Sequence, residues 1–115
     1  MSFDRLVVVD WSARSKPSPE APAKDAIYIC HSNNLEMQNT EYFRTRRAAL
    51  NFIEKLIEKS LVLKERIFIG FDFAFGYPAG FSKSVTSSSD PFSIWDFLNQ
   101  AVTDGDDNSN NRFEV

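Results

Sequence analysis

Two stretches of this chain are too apolar to be anything other than buried strand, and an aspartate interrupts each of them. Arg5–Trp11 reads RLVVVDW, and Lys64–Phe75 contains RIFIGFDFAF. Three consecutive valines cannot alternate between a wet and a dry face, so the pattern predicts strands covered on both sides. Asp10 and Asp72 close these apolar rows at their C-terminal ends.

The remaining segments arrange themselves around these two. Ser12–Lys24 holds Pro17, Pro19 and Pro22 among serines, alanines and charges, and reads as a loop. Asp25–Ser32 reads as a second strand, Asn33-Asn34 as a turn, and Glu36–Phe43 as a more polar third strand near an edge. Thr45 suits the N-cap of a helix over Arg46–Lys59, where Ala49, Phe52, Ile53, Leu56 and Ile57 form one apolar stripe. Asp90-Pro91 is the signature of a second helix start, giving a helix over Pro91–Val102. Thr103–Asn111 reads as a polar loop, and Arg112–Val115 as the beginning of another element.

This β-β-β-α-β-α order has a topological consequence. Strands one to three form an antiparallel meander, and a right-handed crossover through the first helix sets strand four parallel to a neighbour. Strand three is polar, so strand one is the better partner, and the expected class is a mixed α/β sheet of order 3-2-1-4. Leu6, Val8 and Asp10 then share one face, as do Phe68, Gly70 and Asp72. Adjacent strands lie about 4.8 Å apart, so the two carboxylates repel unless they share a proton, a cation or a metal. Gly70 leaves room on that face for a ligand. The C-terminal edge of a parallel pair is also where α/β sheets place their sites. A pair of hard oxygen donors suits Mg²⁺ or Mn²⁺, and carboxylates of this kind serve metal-assisted phosphoryl transfer. The plainer alternative is that each aspartate only caps its strand end.

The strings VVVDWSA and IGFDFAFGYPAGF, with the NRFEV ending, resemble an uncharacterised bacterial family of predicted nucleases with an RNase H-like fold. The resemblance spans nearly all of the chain. It implies that residues 1–115 form the N-terminal part of one RNase H-like domain that continues beyond Val115. It also implies that Asp10 is the first-strand acid and Asp72 the fourth-strand acid of a metal site. A third acid is expected on the first helix. Glu54 is the best candidate, although it falls opposite the apolar stripe.

Other residues suggest what such a site would hold. Arg14 follows strand one, and Arg44, Arg46 and Arg47 open the first helix, so both groups are candidate phosphate ligands. Three cations at a helix N-terminus oppose its dipole, each at roughly 0.3–1 kcal/mol, which favours an anion nearby. Asp104, Asp106, Asn108 and Asn110 alternate like calcium-loop ligands. Ser109 and Val115 stand where such a loop needs Gly and Glu, so a polar loop is the better reading. Cys30 and His31 are neighbours on a strand, point to opposite faces and do not form a zinc site. Ser12 lacks a base partner.

Composition narrows the function classes. Of 115 residues, 13 are Lys or Arg and 16 are Asp or Glu, for a net charge of −3. The charge is uneven, +2 over residues 1–66 and −5 over residues 67–115, and gives no dedicated basic surface. The lone cysteine excludes an internal disulfide. No apolar run approaches the ~20 residues that span a bilayer, and no signal peptide is evident. The expectation is a cytoplasmic protein with no membrane partner. Its partner would be nucleic acid or a phosphorylated small molecule, and a sheet ending at strand four offers an edge for homo-oligomer formation. The foremost reading is a divalent-metal-dependent nuclease or phosphoryl-transfer protein. The alternatives are an ATP-dependent small-molecule enzyme of actin-like fold, whose phosphate loop would want a glycine near Asp10-Trp11-Ser12, and a non-catalytic binding module.

Overall fold

The three valines of β1 (Arg5–Asp10) do not share one environment. In the computed structural model, which describes residues 2–33, 37–74 and 76–115, Val7 and Val9 are buried whereas Val8 is 58 % exposed. The expectation that both faces of this strand are covered is therefore corrected. Successive side chains of a strand point to opposite faces, and the one long helix covers only the side of Val7 and Val9.

The chain divides into two compact units, the first running to Asp72 and including Asp106–Asn108, the second made of residues 73–105 and 109–115. In the first unit β1, β2 (Ile27–Asn33), β3 (Met37–Phe43) and β4 (Ile67–Phe71) form one sheet of order β3-β2-β1-β4. β1 pairs antiparallel with β2 and parallel with β4, and β2 pairs antiparallel with β3. This is the α/β topology that the order of elements predicts. β2 begins two residues later than expected, at Ile27. The expected turn residue Asn34, the strand start at Glu36 and the strand residue Phe75 lie outside the described residues.

Between β3 and β4 runs α1 (Arg46–Leu63), capped by Thr45, whose hydroxyl accepts the Ala48 N–H at 3.2 Å. Ala49, Ile53, Leu56 and Ser60 form its buried stripe, set against Val7, Val9, Ile27 and Ile29. Each Val, Leu or Ile among them contributes roughly 1.5–3 kcal/mol by leaving water. The helix continues past the expected Lys59 because Ser60 takes the next stripe position and hides the continuation from a hydrophobic pattern. Lys64, in the left-handed region at φ 55, ends it.

In the second unit α2 (Phe81–Thr86) and α3 (Ser93–Ala101) are joined by a polar turn. α2 is absent from the sequence-based expectation, being a short helix held between left-handed Gly80 and Ser87 rather than by an apolar stripe. Asp90 still organises the start of α3, its Oδ1 accepting the Phe92 N–H at 3.0 Å and its carbonyl the Ser93 N–H at 3.2 Å. Regular helix begins only at Ser93, two residues later than expected. Ile94 is the buried anchor of this unit, and Tyr77 stacks on Phe81 with ring centroids 4.9 Å apart. Where the beginning of another element is expected, Arg112–Glu114 forms a turn, closed by the Glu114 N–H on the Asn111 carbonyl. Among the described residues no helix is long and apolar enough to cross a membrane.

Candidate functional site

The parallel register of β1 and β4 sets Arg5 opposite Ile67 and Val9 opposite Phe71. One step further it sets Asp10 beside Asp72, which lies just past the end of β4. Both carboxylates share the sheet face that α1 leaves uncovered, with Val8 and with Phe68, which is 48 % exposed. The Trp11 N–H donates to Asp72 Oδ1 at 3.0 Å, so the chain leaving β1 holds the acid that follows β4.

The Asp10 carboxyl is raised above its ordinary value. The causes are, in order, loss of surrounding water, a hydrogen bond with the Asp72 side chain and repulsion by the Asp72 charge. Asp10 is an exposed residue, so solvent screening keeps the effect on stability small. The folded state binds the proton more tightly than the unfolded chain does. The stability this group contributes is therefore complete below the ordinary carboxylate value and declines as pH rises through the folded value. Without divalent cations, Asp10→Asn is expected to melt slightly above the parent at neutral pH. That advantage should disappear in acid, where the Asp10 carboxyl is protonated and as neutral as the amide that replaces it. Thermal melts at the two pH values check this, and identical curves at neutral pH would show that the carboxylates do not repel.

Glu54, the expected third acid, does not join this pair. It is exposed on the outer side of α1, and α1 packs on the opposite face of the sheet. Among the described residues no group of three or more His, Cys, Asp or Glu converges. The space beside Gly70 is open, since a Cβ there would meet only the Phe68 ring, at 3.4 Å.

The four arginines expected to grip phosphate all hold protein acceptors. Arg46 is 7 % exposed, and its guanidinium donates to the carbonyls of Ser12 at 3.1 Å, Arg14 at 2.7 Å and Asn108 at 2.8 Å. It is a buried clamp between α1 and the proline-rich loop. Arg44 donates to the Ser18 carbonyl at 2.7 Å, and Arg14 to the Asp25 carbonyl at 3.3 Å. Arg47 pairs with Asp106 at 3.0 Å on the surface. Ser12 closes the same loop by donating to Asp25 Oδ1 at 2.9 Å.

Asn108 has a role that its place in a polar loop does not disclose. It lies in the left-handed region at φ 70 and is 2 % exposed. Its Oδ1 accepts the Arg46 N–H at the start of α1, and its Nδ2 donates to the carbonyls of Lys16 and Arg44. The alternating acidic loop thus delivers a helix cap and an ion pair. Asp104 and Asn110 form an isolated bridge that closes the turn between them.

His31 lies against α1, its ring 5.2 Å from that of Phe52, while Cys30 is half-buried on the other face, as strand alternation requires. Compared with protein-family models, curated proteins and solved structures, the chain finds no match, and its likeness to the predicted-nuclease family rests on the quoted motifs alone.

Proposed function

We propose that the first unit carries a divalent-cation site, formed by Asp10 and Asp72, that serves phosphoryl transfer in the manner of an RNase H-like nuclease. The observation that supports this most is the register of β1 on β4, which sets two carboxylates side by side at the C-terminal edge of a parallel pair. The donor set fits the group: two carboxylates offer hard oxygens to Mg²⁺ or Mn²⁺, and such ions keep several positions for water and phosphate. A cation held there would polarise a phosphoryl oxygen. The chain's own contribution is to hold and orient. The Trp11 N–H fixes Asp72 Oδ1, and the uncovered face around Val8 and Gly70 admits a substrate. The order β-β-β-α-β with sheet order 3-2-1-4 also agrees with an RNase H-like core.

Calorimetric titration of the chain with Mn²⁺ and with Mg²⁺ tests the reading. Binding is expected for the parent and loss of binding for Asp10→Asn and for Asp72→Asn. At a cation concentration of about 100 times Kd, the parent alone should gain about 2.7 kcal/mol of stability. Absence of binding by the parent chain would sink the proposal.

A further inference from the structure

The sheet face that bears the carboxylates carries a second feature in the same register. Tyr28 on β2 stands opposite Asp10, and Tyr42 on β3 stands opposite Tyr28. Tyr42, Tyr28, Asp10 and Asp72 therefore form one row across four chain segments, with successive members one strand spacing apart, roughly 4.8 Å. The two rings lie 5.3 Å apart at 50°, and both residues remain partly open to solvent. Their hydroxyls are anchored: that of Tyr28 donates to the Ala23 carbonyl at 2.7 Å and that of Tyr42 to the Pro19 carbonyl at 2.7 Å. The proline-rich loop thus fixes both rings at their tips. Arg44, with its side chain half exposed, follows Tyr42 by two residues and is tied to the same loop.

We infer that Tyr28 and Tyr42 are a stacking platform for the bases of a single-stranded nucleic acid whose backbone phosphate lies at the Asp10–Asp72 pair. Fixed aromatic rings take bases of any sequence through their π faces, and an arginine beside them meets the backbone. Two rings in line with the acid pair suit successive bases of a strand, whereas a free nucleotide has a single base to offer. This inference rests on the cation reading for the position of the phosphate, while the platform itself rests on the tyrosines.

The test is fluorescence anisotropy of a labelled single-stranded oligothymidylate on the full chain, with Mn²⁺ and with EDTA, beside an independent Mn²⁺ titration. Tyr42→Leu is expected to weaken oligonucleotide binding about tenfold, since stacking of one base is worth about that factor or more. Mn²⁺ binding should be unchanged in that variant. Tyr42→Phe keeps the ring and should bind nearly as the parent does. Tyr42→Trp should bind at least as tightly, which keeps the test decisive if the leucine variant folds poorly. A duplex of the same sequence, and thymidine monophosphate, should each compete less well than the single strand. The platform is overturned if the parent binds no oligonucleotide, if a folded Tyr42→Leu binds as tightly as the parent, if Tyr42→Trp binds more weakly than the parent, or if the mononucleotide binds as tightly as the strand. Ring-dependent binding in a chain that takes up no Mn²⁺ would overturn the cation reading and leave the platform standing. Ring-independent binding with intact Mn²⁺ uptake would do the reverse.

Discussion

Arg46→Met is expected to destabilise the chain by about 3–5 kcal/mol, a large part of the ~5–15 kcal/mol that holds a domain of ordinary stability together. The guanidinium donates to three backbone carbonyls, those of Ser12, Arg14 and Asn108, and lies almost wholly out of solvent. Methionine preserves much of the volume but donates nothing. Each carbonyl left buried without a partner costs roughly 1–3 kcal/mol. The loss should spread beyond one contact, because Asn108 also accepts the Arg46 N–H and binds the Lys16 and Arg44 carbonyls. Loop, helix start and the Asp106–Asn108 segment are thus fastened at one point. Urea denaturation should show the shift in midpoint, and Arg46→Lys should recover only part of it, since an ammonium cannot reproduce the planar fork. A change below about 1 kcal/mol would mean that the carbonyls find water instead.

The same region shows what a sequence can and cannot reveal. The sheet order follows from element order, from handedness and from the contrast between Val7–Val9 and the polar β3, and all of these are local or topological. The neighbourhood of Asp10 and Asp72 follows from the same reasoning, because register converts position along a strand into proximity. Coverage of the sheet does not follow. Val8 belongs to an unbroken valine run, yet its exposure is decided by which face receives α1, a tertiary outcome. The partners of the arginines are hidden for a related reason: a charge cluster in sequence does not disclose whether its donors turn to solvent or to carbonyls dozens of residues away. Arg46 and Asn108 are 62 positions apart, and nothing short-range links them. The tyrosine row is different. Tyr28 and Tyr42 share the parity of Asp10 once β1, β2 and β3 are in register, so a strand-by-strand alignment of faces would have found it.

Arg5 obeys that parity rule as well, and its consequence is the second large effect. Residues 5, 7 and 9 point toward the core, so an arginine begins the buried row of β1 and needs an acidic partner to remain there. It finds Glu65, just beyond α1, with Nη2 to Oε2 at 2.9 Å and Nε to the same oxygen at 3.1 Å, and Ser60 accepts from Nε at 3.0 Å. Glu65→Leu removes the counter-charge and leaves a guanidinium that is 3 % exposed. Breaking a buried pair from one side costs about 3–5 kcal/mol. The low end is expected here, because the Glu65 side chain is 16 % exposed and water can reach the space it leaves. Removing both partners is a different experiment. In Arg5→Leu/Glu65→Leu no charge is stranded, apolar surface is gained, and the Ser60 hydroxyl can turn to a carbonyl of its own helix. The double variant should therefore regain most of the stability lost in Glu65→Leu. Denaturation midpoints of the two variants, measured beside the parent, decide the matter. If the double variant proved as unstable as the single, the cost would lie in lost packing rather than in an unpaired buried charge.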